Sequence, residues 1–192
     1  MRKYIVAITG ASGVIYGVRL VEELLKRDIE VHLVASRAGG IVLAEELGWD
    51  FSGGMEGAFR QHLPEGKLVY YANDDLAVAI ASGSFINDGM VVIPCTMGTL
   101  SGIAHGSSGN LIERAADVTL KEKRQLILVP RETPLNAIHL RNMLLLADMG
   151  TCIIPPMPAF YHHPATIDDM IDFVVGKVMD AMGIEHQLFK RY

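Results

Sequence analysis

The turn Thr9-Gly10-Ala11-Ser12-Gly13 closes a β-branched apolar run and opens a stretch with apolar residues at helical spacing. Glycines in such a turn permit positive φ and close backbone approach, and the N-terminus of the following helix offers unpaired N–H groups to an anion. Ser12 adds a hydroxyl, so the chemistry on offer is a phosphate cradle, although the same turn also serves simply to join a strand to a helix. It is not the dinucleotide fingerprint, because Ser12 takes the place of the second glycine, and no Gly-Lys-Ser/Thr follows to make a Walker loop. A NAD enzyme carries an acidic residue about 20 residues beyond its turn to hold the ribose diol. Here Ser36 is followed by Arg37, which disfavours NAD and suits a mononucleotide. The same serine also reads as a helix N-cap.

Three more segments carry polar chemistry. Pro94-Cys95-Thr96-Met97-Gly98-Thr99-Leu100-Ser101 follows a buried apolar run with hydroxyls and glycine, a second polar cradle in which Thr99 is placed to cap a helix. Cys95 has no identifiable base beside it and reads as an inert buried thiol rather than a nucleophile. Val129-Pro130-Arg131-Glu132-Thr133-Pro134 puts an arginine beside a carboxylate, able to fork onto a phosphate or to pair internally. In Pro155 to Pro164 the prolines stiffen a loop in which Tyr161 can donate to an anion. The adjacent His162 and His163 diverge, with no cysteine or carboxylate at ligand spacing, so no metal is expected. The run Lys121-Glu122-Lys123-Arg124 reads as a solvated helix end.

All five segments stand where strands end. Strands are predicted at Tyr4–Thr9, Glu30–Ala35, Met90–Pro94, Gln125–Val129 and Thr151–Ile154. Helices are predicted at Val14–Lys26, Arg37–Leu47, Thr99–His105, Asn110–Lys121, Pro134–Met149 (with proline in its first turn) and Ile167–Met182. Leu76–Ala81 is helical or extended, and residues 48–75 give mixed signals. This alternation implies a three-layer α/β domain over 1–192 with a mostly parallel sheet, whose ligands bind outside the carboxyl ends of the strands. Of the 192 residues, 50% are hydrophobic and 20% charged, and the net charge is −5. That excludes disorder and gives no basic field for nucleic acid. No apolar run is long enough to span a bilayer, and no secretory signal opens the chain. Cys95 and Cys152 read as reduced thiols in a cytoplasmic protein.

Taken in order, these segments resemble the UbiX family of flavin prenyltransferases. The resemblance rests on TGASG at 9–13 with Tyr16-Gly17 and Arg19-Leu20, SGSF at 82–85, PCTMGTLSGI at 94–103 and ERAADVTLKEKR at 113–124. LVPRETPL at 128–135, HLRNML at 139–144 and PPMPAFYHHP at 155–164 complete it. It implies a flavodoxin-like Rossmann fold and a homo-oligomer, often a dodecamer, with sites near subunit interfaces. It implies reduced FMN as acceptor, with no metal, and transfer of a dimethylallyl group from dimethylallyl phosphate to flavin N5 and C6. The product, prenylated FMN, serves UbiD-type decarboxylases. The P-x-M-N-x-x-M-W motif of the related cysteine decarboxylases is absent, and the sole tryptophan is Trp49.

By position, Gly10, Ala11 and Ser12 match the first flavin contact, Ser36 the second, Thr96, Met97, Gly98 and Thr99 the third, and Arg131 the fourth. Tyr161 and Lys177 match the holders of the prenyl phosphate, with Lys121 and Glu132 beside them. Arg114 matches a further basic residue and Glu46 an acidic residue near the flavin. The resemblance thus implies that Lys121, Arg131, Tyr161 and Lys177 stabilise the departing phosphate. Glu132 or that phosphate takes up a proton, with Ser12 as relay. Position 177 is usually arginine, so Lys177 keeps the charge and loses the fork. Phe189 and Tyr192 are expected to shield the site where longer members carry a tryptophan-bearing tail. Direct aromatic-acid decarboxylation and non-catalytic FMN carriage are the competing functions.

Overall fold

Lys3–Ile8 alternates its side chains between two apolar layers, and this parity explains the sheet. In this strand, β1, Tyr4, Val6 and Ile8 pack into one core cluster while Ile5 and Ala7 pack into another. A strand buried on both faces reads as a continuous apolar run. The computed structural model describes residues 2–191. Within them the chain runs β1, α1 (Val14–Leu25), β2 (Glu30–Ala35), α2 (Arg37–Leu47), α3 (Met55–His62), β3 (Leu68–Ala72) and β4 (Gly89–Cys95). It continues with α4 (Met97–Ala104), α5 (Leu111–Lys121), β5 (Gln125–Pro130), α6 (Ala137–Asp148), β6 (Cys152–Ile153) and α7 (Ile167–Ala181).

The described strands form one parallel sheet in the order β3-β2-β1-β4-β5-β6. Without the edge strand β3, this is the flavodoxin-like order, with its switch point between β1 and β4. Helices α1, α2, α3 and α7 contribute buried residues to the cluster on one face, and α4, α5 and α6 to the cluster on the other. Each strand therefore delivers its last residue to the same edge of a fixed slab, and the following helix starts there.

Residues 48–75, unassigned from sequence, contain α3 and β3. Trp49 anchors them, stacking on His62 with ring centroids 4.3 Å apart and meeting Phe59 edge-on at 5.3 Å. The strand period is blurred because β3 pairs on one side only and exposes Val69. The helix predicted from Pro134 instead starts at Ala137. Asn136 accepts the His139 amide at 2.9 Å in a capping box, so Pro134 lies outside the first turn. Leu76–Ala81 yields a single 3-10 turn, Ala79–Ala81.

Candidate active site

The carboxyl ends of β1 and β4 are stapled by Thr9. Its buried hydroxyl donates to Pro94 O at 2.7 Å and accepts the Thr96 amide at 2.9 Å. Thr96 rather than Thr99 caps α4, accepting from the Thr99 amide at 3.2 Å and donating to the Thr99 hydroxyl at 3.0 Å. Ser36 caps α2, accepting the Gly39 amide at 3.0 Å. Arg131, just past β5, donates Nε–H to Ser12 O at 3.2 Å, which ties the fourth loop to the first. Gly10 has no room for a side chain, since a Cβ there would come within 2.4 Å of Ala38 Cβ. The loops holding Gly10, Ala11, Ser12, Ser36, Thr96, Met97, Gly98, Thr99 and Arg131 thus meet at one rim of the sheet.

At the α1 end the structure corrects the simplest expectation. Glu46, near the end of α2, accepts the Gly13 amide at 2.9 Å and the Val14 amide at 3.2 Å. The dipole and free N–H groups expected to face a bound phosphate are thus already met by the chain's own carboxylate. Gly13 reaches this geometry at φ +95°, a region that suits glycine. Cys95 is fully buried, and burial pushes its thiol well above the usual range, so it holds no thiolate for attack.

Of the residues expected to hold the prenyl phosphate, Lys121 stands away from this rim within one chain. Helix α5 carries Lys121 about 16 Å along its axis from its own start, to the end beside the first residues of β4 and β5. There Lys121 pairs with Glu122 and stands against Gly83, where a Cβ would lie 2.8 Å from its Nζ. Arg114, on the first turns of α5, donates to Ala81 O at 3.1 Å and pairs with Asp117 at 3.0 Å. Tyr161 meets Phe173 of α7 edge-on at 5.8 Å, and Lys177, one turn further on, lies 3.8 Å from Asp180. Glu132 is exposed and accepts the Thr133 amide at 2.9 Å. Phe189 packs on Phe173, and Tyr192 lies outside the described residues.

The flavoprotein family pattern matches residues 1–179. A flavin prenyltransferase UbiX of Halalkalibacterium halodurans is 56% identical over 192 residues, covering 98% of this chain and 92% of that protein. The chain belongs to the UbiX family of flavin prenyltransferases. A solved UbiX-family structure, AnUbiX (PadA1) in complex with FMN and dimethylallyl pyrophosphate, matches with TM-score 0.90 at 39% identity, covering 100% of this chain and 97% of that one. A dodecameric FMN-dependent UbiX-like decarboxylase from Escherichia coli O157:H7 matches with TM-score 0.89 at 45% identity, over 99% and 98% of the two chains.

The rim suits the FMN of the UbiX family. Ser36 and Thr99 accept hydrogen bonds through hydroxyls whose own protons remain to be donated, whereas the Thr9 proton is spent on Pro94. The Met97 and Gly98 amides take no acceptor among the described residues, and a Cβ on Gly98 would meet nothing nearer than 4.0 Å, which leaves space over the α4 start. Arg131 supplies the cation. Thr9 was missed as a functional residue: it belongs to the 9–13 motif, but only the packing of β1 beside β4 shows what its hydroxyl holds. No helix of the described residues is long and apolar enough to cross a membrane, and among them no three His, Cys, Asp or Glu side chains converge as a metal site.

Proposed function

We propose that the protein joins a dimethylallyl group from dimethylallyl phosphate to reduced FMN, yielding prenylated FMN for UbiD-type decarboxylases. The observation that carries this reading is the rim where Thr9 locks two loops and Arg131 a third, gathering hydroxyls, amides and a guanidinium along one edge of the sheet. When bound, reduced FMN supplies the electron-rich N5 and C6 positions that accept the prenyl group. Gly10, Ala11, Ser12, Ser36, Thr96, Met97, Gly98 and Thr99 hold it, and Arg131 holds its anionic groups.

Breaking the allylic C–O bond requires the phosphate to leave as a stabilised anion. Tyr161, Lys177, Arg114 and Lys121 serve that step, and Glu132 holds the proton released as the second bond to the ring forms, with Ser12 as relay. Lys121 stands at the far end of its own sheet, so it is brought to the site by a second copy of the chain. Helix α6 supports such association. It leaves Ile138 63%, Leu145 43% and, at its C-cap, Met149 54% exposed, an apolar face of the kind that marks an interface. The homo-oligomer is a dodecamer, as in the Escherichia coli relative. The location is cytoplasmic, a reducing compartment in which Cys95 and Cys152 stay free thiols.

Mass spectrometry of the flavin after anaerobic incubation with FMNH2 and dimethylallyl phosphate tests the proposal. A dimethylallyl adduct is expected. An unchanged flavin mass would favour a carrier, and carbon dioxide released from an aromatic acid with no partner enzyme would favour a direct decarboxylase.

A further inference from the structure

Arg19 is one of the residues that carry the family resemblance, yet it stands outside the rim, on the second turn of α1 and about 8 Å along the helix from its start. Four of its five N–H donors are engaged. Nε donates to Asp172 Oδ1 at 2.7 Å and Nη2 to Asp172 Oδ2 at 3.3 Å, a fork on a carboxylate of α7. Nη1 donates to Glu23 at 2.7 Å and to Glu22 at 3.2 Å on its own helix. The Arg19 and Asp172 side chains are each 23% exposed, and a pair this far out of water is screened less than a surface pair.

The two helices joined by this fork carry different halves of the site. Helix α1 opens directly behind the flavin turn, with Gly13 as its N-cap, and Glu46 of α2 fixes that end. Helix α7 carries Lys177, and Phe173, four residues earlier on the same face, meets Tyr161 edge-on at 5.8 Å. Apolar packing does not close the seam between the helices at the level of Arg19. An open cleft of ≈360 Å³ lies there, lined by Ile15, Arg19, Glu22, Asp168, Ile171 and Asp172. The ion pair is what bridges it. The same network runs on along α1: the buried Glu23 also takes Lys26 at 3.0 Å and Arg27, whose Nε donates to Glu185 O at 3.2 Å beyond the end of α7.

We propose that Arg19 is a positioning residue for prenyl transfer. Its fork on Asp172 fixes the α7 face that bears Phe173 and Lys177, and with it Tyr161, against the flavin turn at the head of α1. The inference rests on the prenyl-transfer reading above. Because α1 is held at its head by Glu46 independently of α7, loss of the fork shows in how the prenyl donor is held and not in how FMN binds.

Dimethylallyl phosphate titrated calorimetrically into the full-length protein loaded with oxidised FMN tests this without turnover, since oxidised flavin is not the electron-rich acceptor. Asp172→Asn weakens the pair at constant shape, Arg19→Gln removes the charge and the fork, and Arg19→Lys keeps the charge alone. Lys26→Gln breaks a bond of Glu23 within α1 and serves as the control. Asp172→Asn and Arg19→Gln are each expected to weaken donor binding about tenfold, within the range that displaced site groups cost. With FMNH2, each should raise KM for the donor by a similar factor, with kcat and FMN affinity within about twofold of wild type. Arg19→Lys should recover part of the loss, and Lys26→Gln should bind donor and FMN as the wild type does, whatever its melting temperature. Donor affinity within about twofold of wild type in Asp172→Asn overturns the proposal, even where Arg19→Gln fails to fold. An equal loss in Lys26→Gln, or FMN affinity falling in step with donor affinity, also overturns it. If the variants weaken donor binding while the wild type transfers no prenyl group, the positioning role stands and the reaction reading fails; no donor binding by the wild type overturns both.

Discussion

Glu46 Oε2 lies 2.9 Å from the Gly13 amide and 3.2 Å from that of Val14, so the end of one helix caps the start of another. A carboxylate in this place meets two N–H groups that have no intrahelical partner and opposes the positive end of the α1 dipole. Glu46→Ala is expected to cost about 1 kcal/mol. Glu46→Gln, which keeps an oxygen acceptor, should cost less than half of that, and thermal melts of the three proteins decide it. Equal losses in the two variants would show that the amides do not depend on this oxygen.

Thr9→Val removes a donor and an acceptor at once, leaving the Thr96 amide unpaired and Pro94 O with only the Thr9 amide at 3.2 Å. The expected loss is about 1–3 kcal/mol, with weaker FMN binding, because the first and third loops are no longer held in register. Thr9→Ser should restore most of both. Denaturant melts and flavin fluorescence titration give the two readouts.

Arg131→Ala removes the rim's guanidinium and its hydrogen bond to Ser12 O. FMN affinity is expected to drop about tenfold, and Arg131→Lys should recover the charge without the fork. An unchanged dissociation constant for FMN in Arg131→Ala would remove this residue from the flavin site.

A shared site makes a distinctive prediction. Lys121→Ala and Arg131→Ala should each abolish most prenyl transfer alone. Oligomers reassembled from a mixture of the two should regain activity, because some interfaces then combine an intact Lys121 from one copy with an intact Arg131 from another. Mixtures that stay inactive after verified subunit exchange would place both residues in a site made by one chain.

His32 gives the stability a pH dependence of fixed sign. Burial, the largest influence, holds its imidazole below the ordinary value of 6.5, while the hydrogen bond to Glu30 pulls it partly back. A depressed folded-state value means the contribution is present above 6.5 and is lost as pH falls through the folded value. The wild-type melting temperature should therefore fall as pH drops below 6.5, and His32→Gln should flatten that fall. Glu30, also held below its ordinary 4.5, acts only at lower pH.

The strands and most helices were legible because burial on both faces of a parallel sheet leaves continuous apolar runs, and helical spacing put Leu111, Ala115 and Val118 of α5 on one buried face. The segment around Trp49 was not legible. Its order comes from ring packing among Trp49, Phe59 and His62 and from an edge strand with one partner, neither of which leaves a periodic trace. The α6 start was misplaced for a related reason: Pro134 is a generic helix signal, and the cap that decides the boundary is the mutual geometry of Asn136 and His139.

The amino-acid order by itself determined the family and the rim residues around Thr9–Gly13, Ser36, Thr96–Thr99 and Arg131, because in a parallel sheet residues that end strands must share an edge. Only the tertiary structure decided what those residues do to one another. Glu46 lies 33 positions from Gly13, and Arg131 119 positions from Ser12. It also placed Lys121 at the far end of α5, away from the rim. A hydrogen bond depends on distance and direction in space, and the helix turn, strand crossover and loop that set these are shared by many residues at once.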